Sequence, residues 1–342
     1  MKAVIFREHG GLDKLEYADV EARAPGAGEV QLRVRATGLN RLDLWTLAGI
    51  PGVNVPLPHI GGSDIAGEVC ALGPGVEGWK VGERVVVNPS LWCGTCEYCK
   101  RGEENYCPEY GIIGEHIDGG FAEHFTCPTK HLLRMPKDTP YEEAAAAALV
   151  YQTAWRAVMG RGALKAGEWV LVTGASGGVS TAAIQIAKLA GARVVATTSS
   201  EAKAGRARQL GAEAVFNYKT QEYDKEVFKL TGKRGVDLII DSTGEVNWKA
   251  NLRALARGGR LAVYGATTGN NPPALINMLY WKQITVHGTT MGTVGDFEHV
   301  MELVFQRKLK PVIDSVRPLV LFMAAHERMQ KGEHFGKIVM VP

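Results

Sequence analysis

Nowhere in this 342-residue chain do apolar residues run uninterrupted for the ~18 positions that a membrane-crossing helix needs. The longest such stretch, Ala144 to Val150, reads as part of an alanine-rich helix. No secretory signal is legible: in MKAVIFREHGG the apolar run is short and no cleavage-like segment follows. Charge of one sign is scarce as well. The formal net charge is +3, both signs are interspersed, and no basic stripe marks a nucleic-acid partner. Cysteine is sparse, six in all, and nothing suggests the oxidising compartment that disulfides require. These absences lead us to expect a reducing, cytoplasmic setting with neither membrane nor nucleic acid as partner.

Composition is otherwise that of an ordinary globular enzyme, 46% hydrophobic and 22% charged, and the length favours two domains over one core. Glycine is abundant at 41 residues, much of it in turn-like contexts such as Gly61-Gly62, Gly73-Pro74-Gly75 and Gly119-Gly120. The first part of the chain reads as short strands between these turns: KAVIF, EVQLRVRATGL, DIAGEVCAL and ERVVVN. Thr139-Pro140 then opens a helix, with Glu142 and Glu143 suited to its first turn. From Trp169 the apolar strands WVLVT, RVVATT, AVFNY, VDLIID and RLAVYG alternate with helical segments, the pattern of a parallel sheet covered on both faces. The expected fold is therefore α/β. A β-rich domain would cover residues 1–141, a doubly wound parallel-sheet domain 142–288, and a tail at 289–342, ending in the strand KIVMV, would return to the first domain.

Four of the cysteines, Cys93, Cys96, Cys99 and Cys107, stand at the spacing C-x2-C-x2-C-x7-C. Four thiolates close a tetrahedral shell around Zn²⁺ and leave no position for water or substrate, which makes a structural site. Gly94 and Gly102 ease the turns of the loop. An iron–sulfur cluster is the rival reading, because Cys107-Pro108 echoes the ferredoxin ending. The bacterial ferredoxin run, however, has three residues before its last cysteine where this chain has seven. A patch of metal-free thiols is the third reading. Cys70 and Cys127 stand apart and read as small buried apolar residues.

Val172-Thr173-Gly174-Ala175-Ser176-Gly177-Gly178-Val179-Ser180 follows a strand and opens a helix, where a dinucleotide fold needs glycines so that backbone N–H groups can face a pyrophosphate. The third glycine position holds Ser180, so helix–strand packing must absorb a hydroxymethyl group. At the end of the second strand an NAD site wants an acid for the ribose diol. This chain reads Thr197-Thr198-Ser199-Ser200-Glu201-Ala202-Lys203, with Arg206 beyond. Hydroxyls followed by a cation suit a 2′-phosphate, and Glu201 reads as a first-turn helix residue, so NADP(H) is expected ahead of NAD(H). Thr243, Gly244, Gly265 and Ala266 fall at the carboxyl ends of later strands, where ligands of such sheets collect.

Taken together, these motifs resemble the medium-chain dehydrogenase/reductase superfamily over nearly the whole chain. The cysteine lobe is similar to that of alcohol dehydrogenases. Gly38-Leu39-Asn40-Arg41-Leu42-Asp43 and Gly62-Ser63-Asp64-Ile65-Ala66-Gly67 are similar to quinone oxidoreductases. The resemblance implies a GroES-like catalytic domain, a Rossmann domain and a homodimer or homotetramer. It also implies that Thr153 faces the nicotinamide and that Tyr218 packs near the adenosine phosphate. Where zinc alcohol dehydrogenases place their catalytic zinc ligands, the matching residues here are Asn40, Ser63 and Leu149, and only Asp64 remains of a metal-friendly set. His59 and His116 are the nearby residues that could restore one.

Without a catalytic metal, simple alcohols are poor substrates, whereas a quinone or α,β-unsaturated carbonyl takes hydride at carbon and needs only donors for the developing oxyanion. The expected activity is NADPH-dependent reduction of such an acceptor. Asn40 is the candidate donor, with an Asx-turn residue as its alternative. Tyr151 is the candidate proton donor or relay, with a satisfied core tyrosine as its alternative. Ser63 and Asp64 would line the site or hold its backbone, and Asp43 would pair with Arg41 or another base. The competing readings are a zinc alcohol dehydrogenase with an atypical ligand set and a binding protein that kept the fold.

Overall fold

The computed structural model describes residues 1–342 and falls into two compact units, Met1–Leu149 with Thr293–Pro342, and Val150–Gly292. The sequence pattern suggested boundaries after 141 and 288, eight and four residues earlier than these divisions. The division after Leu149 falls inside the helix Tyr141–Trp155, where a uniform run of alanines gives no hint of it.

In the first unit the strand Glu29–Gly38 is the hub. It pairs antiparallel with Asp64–Leu72, with His124–Pro128 and, at its far end, with Lys337–Val341. Its alternation explains this role. Val30, Leu32 and Val34 turn inward onto Ile65, Val69, Val85, Val87, Phe125 and Cys127, while Gln31, Arg33 and Arg35 face outward. Cys127 is thus a core residue, as expected of a lone thiol. In the tail, the strand Lys337–Val341 lies between Glu29–Gly38 and Ile313–Pro318. Gly38 faces Asp64 across one ladder and Val339 across the other, so three distant segments converge at one strand end. Close backbone packing holds this corner. Gly62 sits at φ +97°, and a Cβ there would come within 2.6 Å of the Phe121 ring. One on Gly119 would meet the Gly62 carbonyl at 2.2 Å.

The second unit is a six-stranded, wholly parallel sheet in the order Ala214–Asn217, Arg193–Thr198, Trp169–Val172, Val236–Asp241, Leu255–Val263, Thr285–Gly288. This is the doubly wound order that reverses beside its first strand and opens a crevice there. Trp169–Val172 is buried along its whole length, and the helix Gly178–Leu189 packs its Ala182, Ala183, Ile186 and Ala187 face inward. No helix in the chain is long and apolar enough to cross a membrane.

Candidate functional site

The cysteine loop closes as its spacing requires. Sγ–Sγ separations are 3.8 Å for Cys93–Cys99 and 3.5 Å for both Cys96–Cys99 and Cys93–Cys107. All four sulfurs lie within 4.8 Å of one another. A tetrahedron with metal–sulfur bonds of ~2.3 Å has edges of about 3.8 Å, so the set fits a single four-coordinate ion, and these spacings are too tight to admit a multi-iron cluster. Backbone N–H groups of Thr95 and Cys96 point at the Cys93 sulfur at 3.4 and 3.3 Å. Those donors favour the thiolate and pull the Cys93 thiol down to about 6, whereas burial pushes Cys99 up to about 12.

In the second unit the glycine loop is laid over the end of the neighbouring strand. Ala175 N–H donates to Thr197 O at 2.8 Å and Gly174 N–H to Thr197 Oγ1 at 3.1 Å. Gly174 holds φ +61°, with nothing within 4 Å of where a Cβ would stand. Gly177 is the N-cap of the helix Gly178–Leu189 and brings no side-chain acceptor to its first turn, which includes Val179. That arrangement fits a pyrophosphate, which would supply the missing acceptors. Ser180 settles the packing question: its buried hydroxyl donates to Thr173 O at 3.0 Å and lies 3.3 Å from the Tyr264 hydroxyl. The serine is accommodated by hydrogen bonding within the helix–strand contact.

Beyond the strand Arg193–Thr198, Ser200 caps the helix Glu201–Gln209, and Lys203 Nζ reaches back to Ser176 Oγ in the glycine loop at 3.4 Å. Ser199 is half-buried beside them, and Tyr218 is exposed with its N–H bonded to Thr198 O. Glu201 leans along its own helix to Arg208 at 2.8 Å. No acid ends the strand Arg193–Thr198, and Thr198 Oγ1 is buried without a partner in the protein. Elsewhere on this edge Thr243 O accepts from Thr268, and a Cβ on Gly265 would lie 3.2 Å from Ser242 Cβ. Asp241, which sequence reasoning passed over, ties two strand ends together by accepting from Thr173 Oγ1 at 2.6 Å and Gly244 N–H at 2.9 Å. Thr153 is buried, with its hydroxyl 3.4 Å from Met291 Sδ. Tyr151 is 1% exposed and its hydroxyl accepts from Gln185 Nε2 at 2.9 Å. That is the geometry of a core tyrosine, the alternative reading of this residue.

The first unit brings Asn40, Ser63 and Asp64 together, and adds two residues. Asn40 caps the helix Arg41–Ala48 and donates from Nδ2 to Asp64 Oδ2 at 2.9 Å. Asp64 Oδ1 accepts the Leu149 N–H at 2.7 Å. Lys337 Nζ donates to Asp64 Oδ2 at 2.7 Å and to Leu39 O at 2.8 Å, and is also bonded to Asn40 Oδ1. Ser63 Oγ is fully buried without a partner in the protein. The expected partner of Asp43 is Arg41 or another base; no bond to Arg41 is found, and Lys337 is the base whose charge acts on it. Arg41 stays exposed, and the Asp43 carboxylate accepts backbone N–H groups from Asn40 at 2.6 Å and Gly62 at 3.1 Å. Nor do the two histidines reach Asp64: His59 Nε2 lies 3.1 Å from Gly114 O, and His116 Nδ1 accepts from Ile112 N–H. Lys337 carried no sequence signal beyond being a cation at the head of an apolar strand.

Burial raises Asp43 to about 7, against the pull of its two N–H donors and Lys337. The protonated carboxyl is therefore favoured in the folded state, and its stabilising proton is lost as pH rises from about 4 through about 7. Comparing the stability curves of the native protein and Asp43→Asn between pH 5 and pH 8, we expect the native protein to lose on the order of 2–4 kcal/mol more. Parallel curves in a denaturant titration would show that Asp43 is ionised throughout. Glu115 is pushed up to about 7 in the same way, by burial alone.

The chain matches two family profiles, "Alcohol dehydrogenase GroES-like domain" over residues 26–137 and "Zinc-binding dehydrogenase" over residues 178–306. It is 32% identical to an acryloyl-coenzyme A reductase of Sulfurisphaera tokodaii, with all of both chains covered. It is also 32% identical to an NAD-dependent alcohol dehydrogenase of Sulfolobus acidocaldarius, with 99% of each chain covered. Among solved structures, a crystal structure of an NAD-dependent alcohol dehydrogenase superposes with a TM-score of 0.96 at 42% identity over the full length of both chains.

Proposed function

Because this chain belongs to the zinc-type medium-chain dehydrogenase/reductase superfamily and is an NAD(P)-dependent oxidoreductase, we propose that it uses NADPH to reduce a conjugated acceptor, an α,β-unsaturated carbonyl compound or a quinone. In this reading Cys93, Cys96, Cys99 and Cys107 hold a structural zinc. The observation that carries the proposal is the donor set around Asp64. Asn40 and Ser63 offer neutral oxygens, and Leu149 contributes only its backbone N–H. Both oxygens of the one carboxylate already accept from nitrogen. A catalytic zinc site needs about three strong protein ligands, and this set does not provide them. Oxidation of a simple alcohol depends on acidifying its hydroxyl, for which a Lewis acid is the usual device. Reduction of a conjugated acceptor asks less, because the charge that develops on oxygen can be met by hydrogen-bond donors.

NADPH, when bound, supplies the hydride. Asn40 is the proposed donor to the substrate oxygen: one of its amide hydrogens is held by Asp64, and the other has only a long contact, 3.4 Å, to Gly38 O. The acryloyl-coenzyme A reductase among the relatives reduces a conjugated thioester by name, which favours the unsaturated-carbonyl branch of this reading. The alcohol dehydrogenases among them favour the second reading, alcohol oxidation with NAD⁺. A panel of enones, quinones, aldehydes and alcohols on metal-quantified protein separates the two. We expect NADPH oxidation with the conjugated acceptors and about one zinc per chain. Alcohol-driven NAD⁺ reduction with about two zinc ions per chain would establish the second reading instead.

The choice of NADPH rests on Lys203 beside Ser176 and on the absence of an acid at the strand end. Lys203→Ala is expected to weaken NADPH binding by about 1–2 kcal/mol, the scale of one charge-assisted contact, and to leave NADH nearly untouched. Equal losses for both nucleotides in a fluorescence titration would reject that role. A homo-oligomer is proposed as well. Thr285–Gly288 is an edge strand, paired on one side only, and Ile276, Tyr280 and Trp281, in the helix that precedes it in the chain, are about two-thirds exposed. Light scattering at the mass of a single chain would remove that proposal.

A further inference from the structure

The closing strand Lys337–Val341 begins with a residue that does not belong in an apolar core. Ile338, Val339 and Met340 are fully buried, and the Lys337 side chain is buried with them at 3% exposure. Charged side chains are almost never enclosed unless paired. Here the ammonium meets three oxygens from two segments: the Leu39 carbonyl and Asn40 Oδ1 from one, and Asp64 Oδ2 from the other. An ammonium has three hydrogens, so its donors are used in full.

Two consequences follow. Lysine only donates, so the Asn40 atom facing it must be the amide oxygen. The amide nitrogen is thereby turned toward Asp64 and Gly38, which settles an orientation that an isolated asparagine leaves open. The second consequence concerns cations. Asp64 Oδ1 is occupied by the Leu149 N–H, and Oδ2 by two donors. The Asp43 carboxylate accepts from two backbone N–H groups. A divalent ion entering this cluster would have to displace a buried ammonium from its counter-charge or lie against it, and like charges that close in a desolvated site repel strongly.

We infer that Lys337 is a positioning residue that serves as a tethered cation: it fills the oxygen cradle of Leu39, Asn40 and Asp64, fixes the Asn40 amide and closes the cluster to divalent metal. The inference deepens the metal-independent reading above and rests on it for the role of Asn40. Its test does not need turnover, so a protein that reduced no enone would leave the outcome intact. The probe is Mn²⁺, a hard ion suited to oxygen donors. In Lys337→Ala, Mn²⁺ binding followed by electron paramagnetic resonance should be at least roughly tenfold tighter than in the native protein, and adding Asp64→Asn should abolish the gain. Equal binding in the native protein and Lys337→Ala, or none in either, overturns the inference. A second measurement covers a variant that does not fold. In the native protein with ¹⁵N-labelled lysine, the Lys337 ammonium resonance, assigned by its loss in Lys337→Arg, should stay sharp in millimolar Mn²⁺. Paramagnetic broadening of that resonance would place an ion in the cluster and end the proposal.

Discussion

Cys96→Ser protein, loaded with zinc and desalted, is expected to carry about one ion fewer per chain than the native protein. The sulfur of Cys96 lies 3.5 Å from that of Cys99 and accepts the Cys99 N–H, so its loss opens the tetrahedron and removes an anchor of the short helix Glu97–Lys100. Such loops have little core of their own. Their fold is largely the binding free energy of the ion, on the order of 10 kcal/mol for sites of this kind. Local unfolding of the loop should follow, visible as rapid proteolysis near Arg101. Fluorescence titration should still detect NADPH, because the glycine loop and Lys203 lie in the other unit. Unchanged zinc stoichiometry would mean that these cysteines hold no metal.

The second large effect is expected at Asp64. Its carboxylate is fully buried and serves three nitrogen donors: Lys337, Asn40 and the Leu149 N–H. Asp64→Ala would leave the Lys337 ammonium buried without its counter-charge. Removing one partner of such a pair costs about 3–5 kcal/mol, far more than the intact pair is worth against an apolar replacement. We therefore expect a fall of that size in urea unfolding of the first unit. Asp64→Ala/Lys337→Met, which removes both charges, should recover most of it. A double variant no more stable than Asp64→Ala would show that the ammonium is not what makes the single change harmful.

The exposed salt bridges warrant no comparable expectation. Lys2–Asp19 and Lys225–Glu222 join side chains that are largely solvated, and pairs of that kind contribute little.

The cysteine spacing and the glycine loop were legible because each is a local device. Four thiols lie within one short loop, and the turn, the glycines and the helix start are consecutive. The strands were legible for the same reason, since a strand such as Arg193–Thr198 or Lys337–Val341 declares itself by a run of β-branched and apolar residues. Asn40 and Asp64 were legible as candidates, but their state was not. The hydrogen bonds that define them reach to Lys337, a residue distant in sequence that enters through a strand paired beside Gly38. The same holds for Tyr151, whose hydroxyl is taken by Gln185 from another helix.

Composition and local pattern by themselves determined the α/β class, the clustering of the four cysteines and the glycine loop between strand and helix, because the interactions responsible lie within a few residues of one another. The tertiary structure alone decided the order of the six parallel strands, the division within the helix Tyr141–Trp155, and the hydrogen-bond partners of the corner around Asp64. Those depend on which distant segments become neighbours and on how completely water is excluded from between them. A lysine at the head of an apolar strand has no assigned partner in the sequence, and only the antiparallel register of Lys337–Val341 against Glu29–Gly38 supplies one.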